Sequence, residues 1–508
     1  MTPADALRAA ARRYMARSTP RDAAIHLFET ARGGHLFVAD RSQLFDADPV
    51  LYSLLDNARD ADEITARLRD AGLDQPPAID DEALVNPPLH ALSLAVAQKC
   101  NLGCSYCYAQ QGDFGGAAKN MSEAVAFQAV DLLVDRAEPE ARLNVAYLGG
   151  EPLVNRAVLQ ATTRRAAQRA AARGVGITFS ITTNGTLLQP ADGDFFEEFG
   201  FAVTISLDGP KVAHDALRPF KGGGGSYDRI MANVRPLLAQ QRRMQVAARV
   251  TVTPENLMLR QTLDQFLAEG FHSVGFSPML SAPGGQGEMQ PEHLEIMLAG
   301  MIDCGREYER RALAGERYHF ANMANAMKEI AKGTHRPYPC GAGAGYLGVS
   351  AQGELSACHR FVGDEAGTMG SLDNGLDRER QAVWLSERHV HRQEPCQSCW
   401  ARYLCGGGCH HEVIQRGRPA CDYIRGWLHF CLEVYLHLSS AQGGRAPHRR
   451  FDRNRLISIE LRCALRRIFV SLGADQREVS SARDWPNSAC RCVWWSASAF
   501  LVATLANR

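Results

Sequence analysis

The stretch Gln98-Lys99-Cys100-Asn101-Leu102-Gly103-Cys104-Ser105-Tyr106-Cys107-Tyr108 constrains this chain more than any other. It follows an apolar run, Ala91 to Ala97, that reads as a strand. Three cysteines spaced Cys-x3-Cys-x2-Cys after a strand can bind three irons of a 4Fe-4S cube through their thiolates. The fourth iron then has no protein ligand and stays open to a small molecule. A structural zinc site or buried free thiols are the plainer readings of such a triplet, and the rest of the chain weighs against them.

The chain has 508 residues, enough for two to four domains, and fifteen cysteines. In a small secreted domain so many cysteines would read as a disulfide framework. Here they are clustered in a large chain with no signal-peptide pattern, which points to a reducing cytoplasm and metal ligation. Lys plus Arg (56) equals Asp plus Glu (56), so charge calls for neither nucleic acid nor an anionic membrane. No stretch reaches the roughly 20 apolar residues of a membrane span, the run Val493 to Leu505 included.

Ile25–Thr30 and His35–Asp40 flank Gly33-Gly34 and read as a β-hairpin, followed by apolar helical spacing at Val50, Leu51, Leu54, Leu55 and again at Ile64, Leu68, Leu73. This hairpin-plus-helices unit resembles the winged-helix peptide-recognition modules of maturases of ribosomally made peptides, which implies binding of a leader segment at a sheet edge. A simple N-terminal brace packed on the rest of the chain is the other reading. Gln75-Pro76-Pro77 and Asn86-Pro87-Pro88 punctuate a linker.

From Leu89 onward, short apolar strands alternate with helical stretches. The strands are expected at Ala91–Ala97, Leu143–Leu148, Ile177–Thr182, Ala202–Leu207, Gln245–Val252 and Ser273–Pro278. Among the helices are Ser122–Arg136, Arg156–Arg173 and Tyr227–Gln241. The cysteine triplet, with an aromatic residue (Tyr106) before its third member, resembles the radical S-adenosylmethionine (SAM) superfamily. That resemblance implies an α/β partial (β/α)6 TIM-like barrel with its site at the carboxyl ends of the strands, a 4Fe-4S cluster, and SAM on the open iron.

The motifs after the strands fit the same resemblance. Gly149-Gly150-Glu151-Pro152 would clamp the methionine amino group, with Glu151 and nearby carbonyls as acceptors. Thr182-Thr183-Asn184-Gly185-Thr186 is the next turn, with Asn184 in the cofactor site. Ser206, in Ser206-Leu207-Asp208-Gly209-Pro210, would meet the ribose and carboxylate of the cofactor. Arg218, with Arg249 as the alternative, would neutralise the methionine carboxylate, and Pro278-Met279-Leu280 would wall the adenine. The lone Cys304 has no assigned role.

The densest metal signal lies later, in Cys340, Cys358, Cys396-x2-Cys399-x5-Cys405-x3-Cys409 and Cys421. Seven cysteines in this order resemble the SPASM extension, which appends auxiliary 4Fe-4S clusters to peptide-modifying radical enzymes; a zinc ribbon would use only four. The resemblance implies an outer cluster on Cys396, Cys399, Cys405 and Cys421 and an inner one on Cys340, Cys358 and Cys409. Where a fourth inner cysteine could follow Cys340, the chain has Gly341-Ala342-Gly343-Ala344-Gly345-Tyr346. The inner vacancy would take a substrate thiolate, or Cys431 would close it. His359, His410 and His411 adjoin ligands as hydrogen-bond donors or proton carriers. Asp364 and then Asp422 are the candidate general bases.

The expected organisation is a peptide-recognition domain (1–85), a radical SAM partial barrel (86–315), a SPASM domain (316–440) and a poorly ordered tail (441–508), whose Cys463, Cys490 and Cys492 are given no ligand role. The closest resemblance is to thioether-forming maturases, including those of quinohemoprotein amine dehydrogenase and of Cys-rich peptides. It implies a 5'-deoxyadenosyl radical, a Cys-bearing peptide or small-protein substrate, and a flavodoxin- or ferredoxin-type electron donor. An anaerobic sulfatase-maturing type and a non-catalytic iron-sulfur scaffold are the rival readings.

Overall fold

The computed structural model describes residues 2–74 and 76–441. The tail from 442 on, with Cys463, Cys490 and Cys492, lies outside the described residues. Among the described residues, those up to Tyr52 and from 76 onward group into one compact unit, and Ser53–Asp74 group apart. The second group holds the helix Ala61–Asp70, capped by Asp60, whose side chain accepts from the Glu63 N–H at 2.9 Å.

The first unit opens with the helix Pro3–Arg17, whose N-terminus carries a Thr2–Asp5 capping box. A three-stranded antiparallel sheet follows: β1 (Ile25–Thr30), β2 (Gly33–Val38) and β3 (Gln43–Ala47), in that order. The hairpin is as expected, but Gly33 and Gly34 start β2, and the turn falls on Ala31-Arg32.

The larger sheet holds eleven strands. Its parallel part is β4 (Ala91–Gln98), β6 (Arg142–Gly149), β7 (Gly176–Thr183), β8 (Ala202–Ser206), β9 (Gln245–Val252) and β10 (Ser273–Pro278), side by side in chain order, with β5 (Lys119–Asn120) paired to β4. Each expected strand forms within two residues of its predicted bounds, because period-2 apolar spacing and Gly-rich ends leave little freedom of register. On β6 to β9 the apolar residues at alternate positions (Val145, Ile181, Val203, Val250) are buried under crossover helices such as Arg156–Arg173 and Tyr227–Gln240. Each such side chain contributes about 1.5–3 kcal/mol on burial.

The other face of these strands is concave and carries small or polar residues: Asn144, Ser180, Thr204, Ser206, Arg249, Thr251 and Ser277 are half-buried or exposed. A closed barrel fills its interior with branched apolar side chains; this half-barrel keeps a polar trough.

Past β10 the chain returns to the sheet. β11 (Tyr346–Val349) pairs in parallel with β4, and β12 (Glu354–Ser356), β13 (Thr368–Ser371) and β14 (Gly375–Leu376) follow as an antiparallel meander. This pairing sets Cys340 and Cys358, on either side of β11 and β12, beside the strand that leads into the first three. The chain then runs into the helix Cys421–Ala441, which packs against Pro3–Arg17 and Pro291–Leu313. Tyr14 donates to Glu433 Oε2 at 2.6 Å, and the Arg306 guanidinium sits 5.0 Å over the Phe430 ring. No described helix is long and apolar enough to cross a membrane.

Candidate active site and its thiol groups

The loop after β4 holds Cys100, Cys104 and Cys107 at the mouth of the trough. Its path depends on close backbone contact. A Cβ on Gly112, at φ +104°, would fall 2.7 Å from the Cys100 Cβ and 2.9 Å from the Gly150 Cα. The Gly150 N–H donates to the Ala97 carbonyl and the Glu151 N–H to the Lys99 carbonyl, both at 2.8 Å. The Gly149-Gly150 turn thus lies directly beneath the cysteine loop.

The thiols act on one another electrostatically. Burial raises the pKa of Cys100, and Cys107 adds to the effect; burial pushes Cys104 up to about 12 against the pull of Arg218. Thiols so placed ionise at neutral pH only with a cation or metal beside them. Asn184 points its amide at Cys100 (Nδ2 to Sγ, 3.7 Å) and donates to Asn101 Oδ1 at 2.9 Å.

Arg218 donates to Asp208 through Nε (2.8 Å) and Nη2 (3.3 Å), its Nη1 stands 4.0 Å from the Cys104 sulfur, and its guanidinium lies 5.3 Å over the Tyr106 ring. The Tyr106 hydroxyl also donates to Asp208, and the Thr251 N–H reaches it at 3.0 Å. Burial alone would push the Arg218 guanidinium down, but Asp208 more than offsets it. Ser206 is the residue of this motif expected at the cofactor, whereas the structure gives the buried Asp208, two residues on, the central place. The sign of it in the sequence is an acid at a strand end within reach of a later arginine. Ser206 ends β8 opposite Arg249 on β9, and both lie on the concave face.

Glu151 departs from its expected part. It is fully buried, and its carboxylate accepts from Thr183 Oγ1 (2.7 Å), the Asn184 N–H (2.7 Å) and the Leu153 N–H (3.0 Å). Burial raises its pKa to about 7 against those donors. The side chain ties the β6 turn to the β7 turn, which leaves backbone carbonyls as the acceptors free for an ammonium group.

The remaining thiols form two groups. Cys340, Cys358 and Cys409 influence one another; burial raises Cys340 and pushes Cys358 up to about 12. Cys396, Cys399, Cys405 and Cys421 form the other group, in which burial pushes Cys396 up to about 12. These four and Cys409 line one cavity of about 320 Å³, with Arg418 and Arg425 on its wall. Among the described residues no three or more His, Cys, Asp and Glu converge on a single-ion site, as zinc requires. Thiolates that each take a different iron of a cube stand further apart. Cys431, the possible closing ligand of the inner group, is fully buried and 3.7 Å from the Met323 sulfur. Cys304 is likewise fully buried.

Tyr108, next to Cys107, bridges toward the inner group. Its phenol feels both Cys107 and Cys358, and the Arg360 guanidinium lies 5.1 Å over its ring. Arg360 in turn stands 3.9 Å from the Cys409 sulfur and donates to Glu412 Oε1 at 2.8 Å. His359 accepts from or donates to the Tyr346 hydroxyl at 2.8 Å, and burial lowers His359, His410 and His411 each to about 4.

The two candidate bases lie apart. Asp364 caps a short 3-10 turn, accepts from the Ala366 N–H at 2.9 Å, acts on His411, and lines a groove of about 700 Å³ beside β12 and β13. Asp422, well exposed, is ion-paired with Arg425 on the outer side.

A half-barrel with a thiol loop at its mouth is the fold of radical SAM enzymes, and residues 94–266 match the family model described as the Radical SAM superfamily. Its cofactors are a 4Fe-4S cluster and S-adenosylmethionine, and the cysteine-rich C-terminal half fits auxiliary clusters. Among curated proteins, the chain is 27% identical over 352 residues to a serine-type anaerobic sulfatase-maturating enzyme of Klebsiella aerogenes, covering 66% of this chain and 84% of that one. It is 21% identical over 367 residues to the radical SAM cyclopropyl synthase TigE of Paramaledivibacter caminithermalis, covering 66% and 72%. Among solved structures, native anSMEcpe with bound AdoMet and Cp18Cys peptide aligns with a TM-score of 0.57 at 18% identity, covering 70% of this chain and 99% of that chain.

Proposed function

We propose that this radical SAM enzyme modifies a ribosomally made peptide or small protein and joins a substrate cysteine sulfur to a carbon of the same chain as a thioether. When bound, the cluster and S-adenosylmethionine supply removal of a hydrogen atom from an unactivated carbon. Cys100, Cys104 and Cys107 would hold that cluster, backbone at Gly149-Gly150 the cofactor's amino group, and Ser206 its ribose and carboxylate, with Asn184 fixing Cys100. Tyr106, Asp208 and Arg218 lock the loop in place, so Arg218 acts through Cys104 and Asp208.

In a SPASM-type arrangement, Cys340, Cys358 and Cys409 would hold the inner cluster and Cys396, Cys399, Cys405 and Cys421 the outer one. The observation that carries the thioether reading is the unequal count: three thiols influence one another in the inner group and four in the outer, while Cys431 packs against Met323. A substrate thiolate is the natural fourth donor. Asp364, at the open groove, is the first choice to take its proton and Asp422 the second. The β1–β3 unit would hold a leader segment, and an external flavodoxin- or ferredoxin-type protein would supply electrons.

A second reading is favoured by the Klebsiella relative: oxidation of one Cys or Ser to formylglycine. Tandem mass spectrometry of a Cys-bearing peptide encoded beside the gene separates the two. Linked fragments with two hydrogens lost support the thioether, and a change confined to one residue supports formylglycine. A non-catalytic scaffold gives no 5'-deoxyadenosine from the reduced, anaerobically reconstituted chain. Cys104→Ala should abolish that product, and full retention would overturn the enzymatic reading.

A further inference from the structure

Two arginines reach the concave face, and only one has a carboxylate partner. Arg218 is held by both oxygens of Asp208. Arg249, on the same face, donates to the Ser277 hydroxyl, and among the described residues no carboxylate lies within ion-pairing distance of it. Arg249 is accessible to water by surface area, yet surrounding protein pushes its guanidinium pKa down, with Glu412 opposing and Arg360 adding. Both hold for a side chain that lines a wet trough inside the fold rather than the outer surface. Glu412, the anion that acts on it, is already hydrogen-bonded to Arg360 at 2.8 Å.

We propose that Arg249, steadied by Ser277, is a carboxylate-binding subsite that receives an acidic side chain of the peptide substrate; this rests on the peptide-maturase reading above. A guanidinium presents a planar fork of N–H donors that matches a carboxylate in two parallel hydrogen bonds. A guanidinium in a trough with no protein counter-ion gains a charge-assisted pair when a carboxylate binds it. The groups that Arg249 faces locate its ligand. Glu412 comes from the helix just after Cys409 and Arg360 from the turn after Cys358, so Arg249 looks toward the inner thiols, whereas Arg218 stands at Cys104. A peptide spanning from the first thiol group to the inner one passes Arg249. The methionine carboxylate of the cofactor shares the same chemistry and is the competing source.

Phenylglyoxal labelling of the full, anaerobically reconstituted chain, mapped by mass spectrometry, tests this without a known substrate. Arg249 should be labelled and Arg218 should not. N-acetylglutamate α-amide should slow labelling of Arg249 several-fold and N-acetylglutamine α-amide should not. S-adenosylmethionine and its decarboxylated analogue should give equal protection. An unreactive Arg249, or equal protection by the two amides, overturns the subsite. Protection by S-adenosylmethionine but not by its decarboxylated analogue assigns the carboxylate to the cofactor and overturns the substrate assignment. Reductive cleavage of the cofactor, measured on the same sample, reports on the maturase reading itself; if cleavage persists while protection fails, the subsite alone falls.

Discussion

Arg218 and Asp208 meet through two hydrogen bonds, at 2.8 and 3.3 Å, with Asp208 wholly buried and the arginine nearly so. The pair fixes the wall behind Cys104. Removing one partner strands the other charge in a dry site, so Arg218→Ala or Asp208→Asn should cost about 3–5 kcal/mol. Urea unfolding of the metal-free chain measures it. A loss under about 1 kcal/mol, the range of exposed pairs, would show that water reaches the pair.

Gly112→Ala should damage the first thiol group selectively. The new methyl would fall within 3 Å of Cys100 and Gly150 at a φ that L side chains rarely adopt. The expected result is loss of about four irons per chain, one cube, by iron and sulfide count, with the other thiol groups still loaded. Gly222→Ala, where no heavy atom lies within 4 Å, is the control.

Glu151 gives a signed pH prediction. Its pKa rises from 4.5 to about 7 on folding, so the folded state binds the proton more tightly. Its stabilising contribution is whole below about pH 4.5 and is lost as pH rises through about 7, a change of about 3 kcal/mol. Glu151→Gln should flatten this part of the profile in denaturant titrations of the metal-free chain. An unchanged slope between pH 4.5 and 7 would mean that the carboxyl is ionised throughout.

Trp400, beside Cys399, ties the outer thiol loop to the N-terminus. Its indole donates to the Ser18 carbonyl at 2.8 Å and stacks on His26 with ring centroids 4.0 Å apart. Arg402 adds an ion pair with Asp40 at 2.7 Å. Trp400→Phe keeps the ring but leaves the buried carbonyl without its donor, so it should cost about 1–3 kcal/mol. Calorimetry checks it, and wild-type stability would mean that another donor serves Ser18.

Much of the site's chemistry could be read from local pattern. Cysteine spacing, Gly-Gly before Glu151, and strands such as Gln245–Val252 and Ser273–Pro278 are signalled within a dozen residues, and the strands formed at or close to their expected bounds. The misplaced turn at Gly33-Gly34 shows the limit of such reading: glycine marks a place where the chain can bend, while strand pairing decides whether it does.

The strand–helix alternation and the thiol inventory are legible in the amino-acid order, because each follows from side-chain period and residue type along a short segment. Three-dimensional packing alone made Asp208 take Arg218, turned Glu151 inward to Thr183 and Asn184, and paired β11 with β4. Those outcomes depend on competition between partners distant in the chain. Burial settles it by requiring every charge and hydrogen-bonding group to find the partner that the fold places nearest.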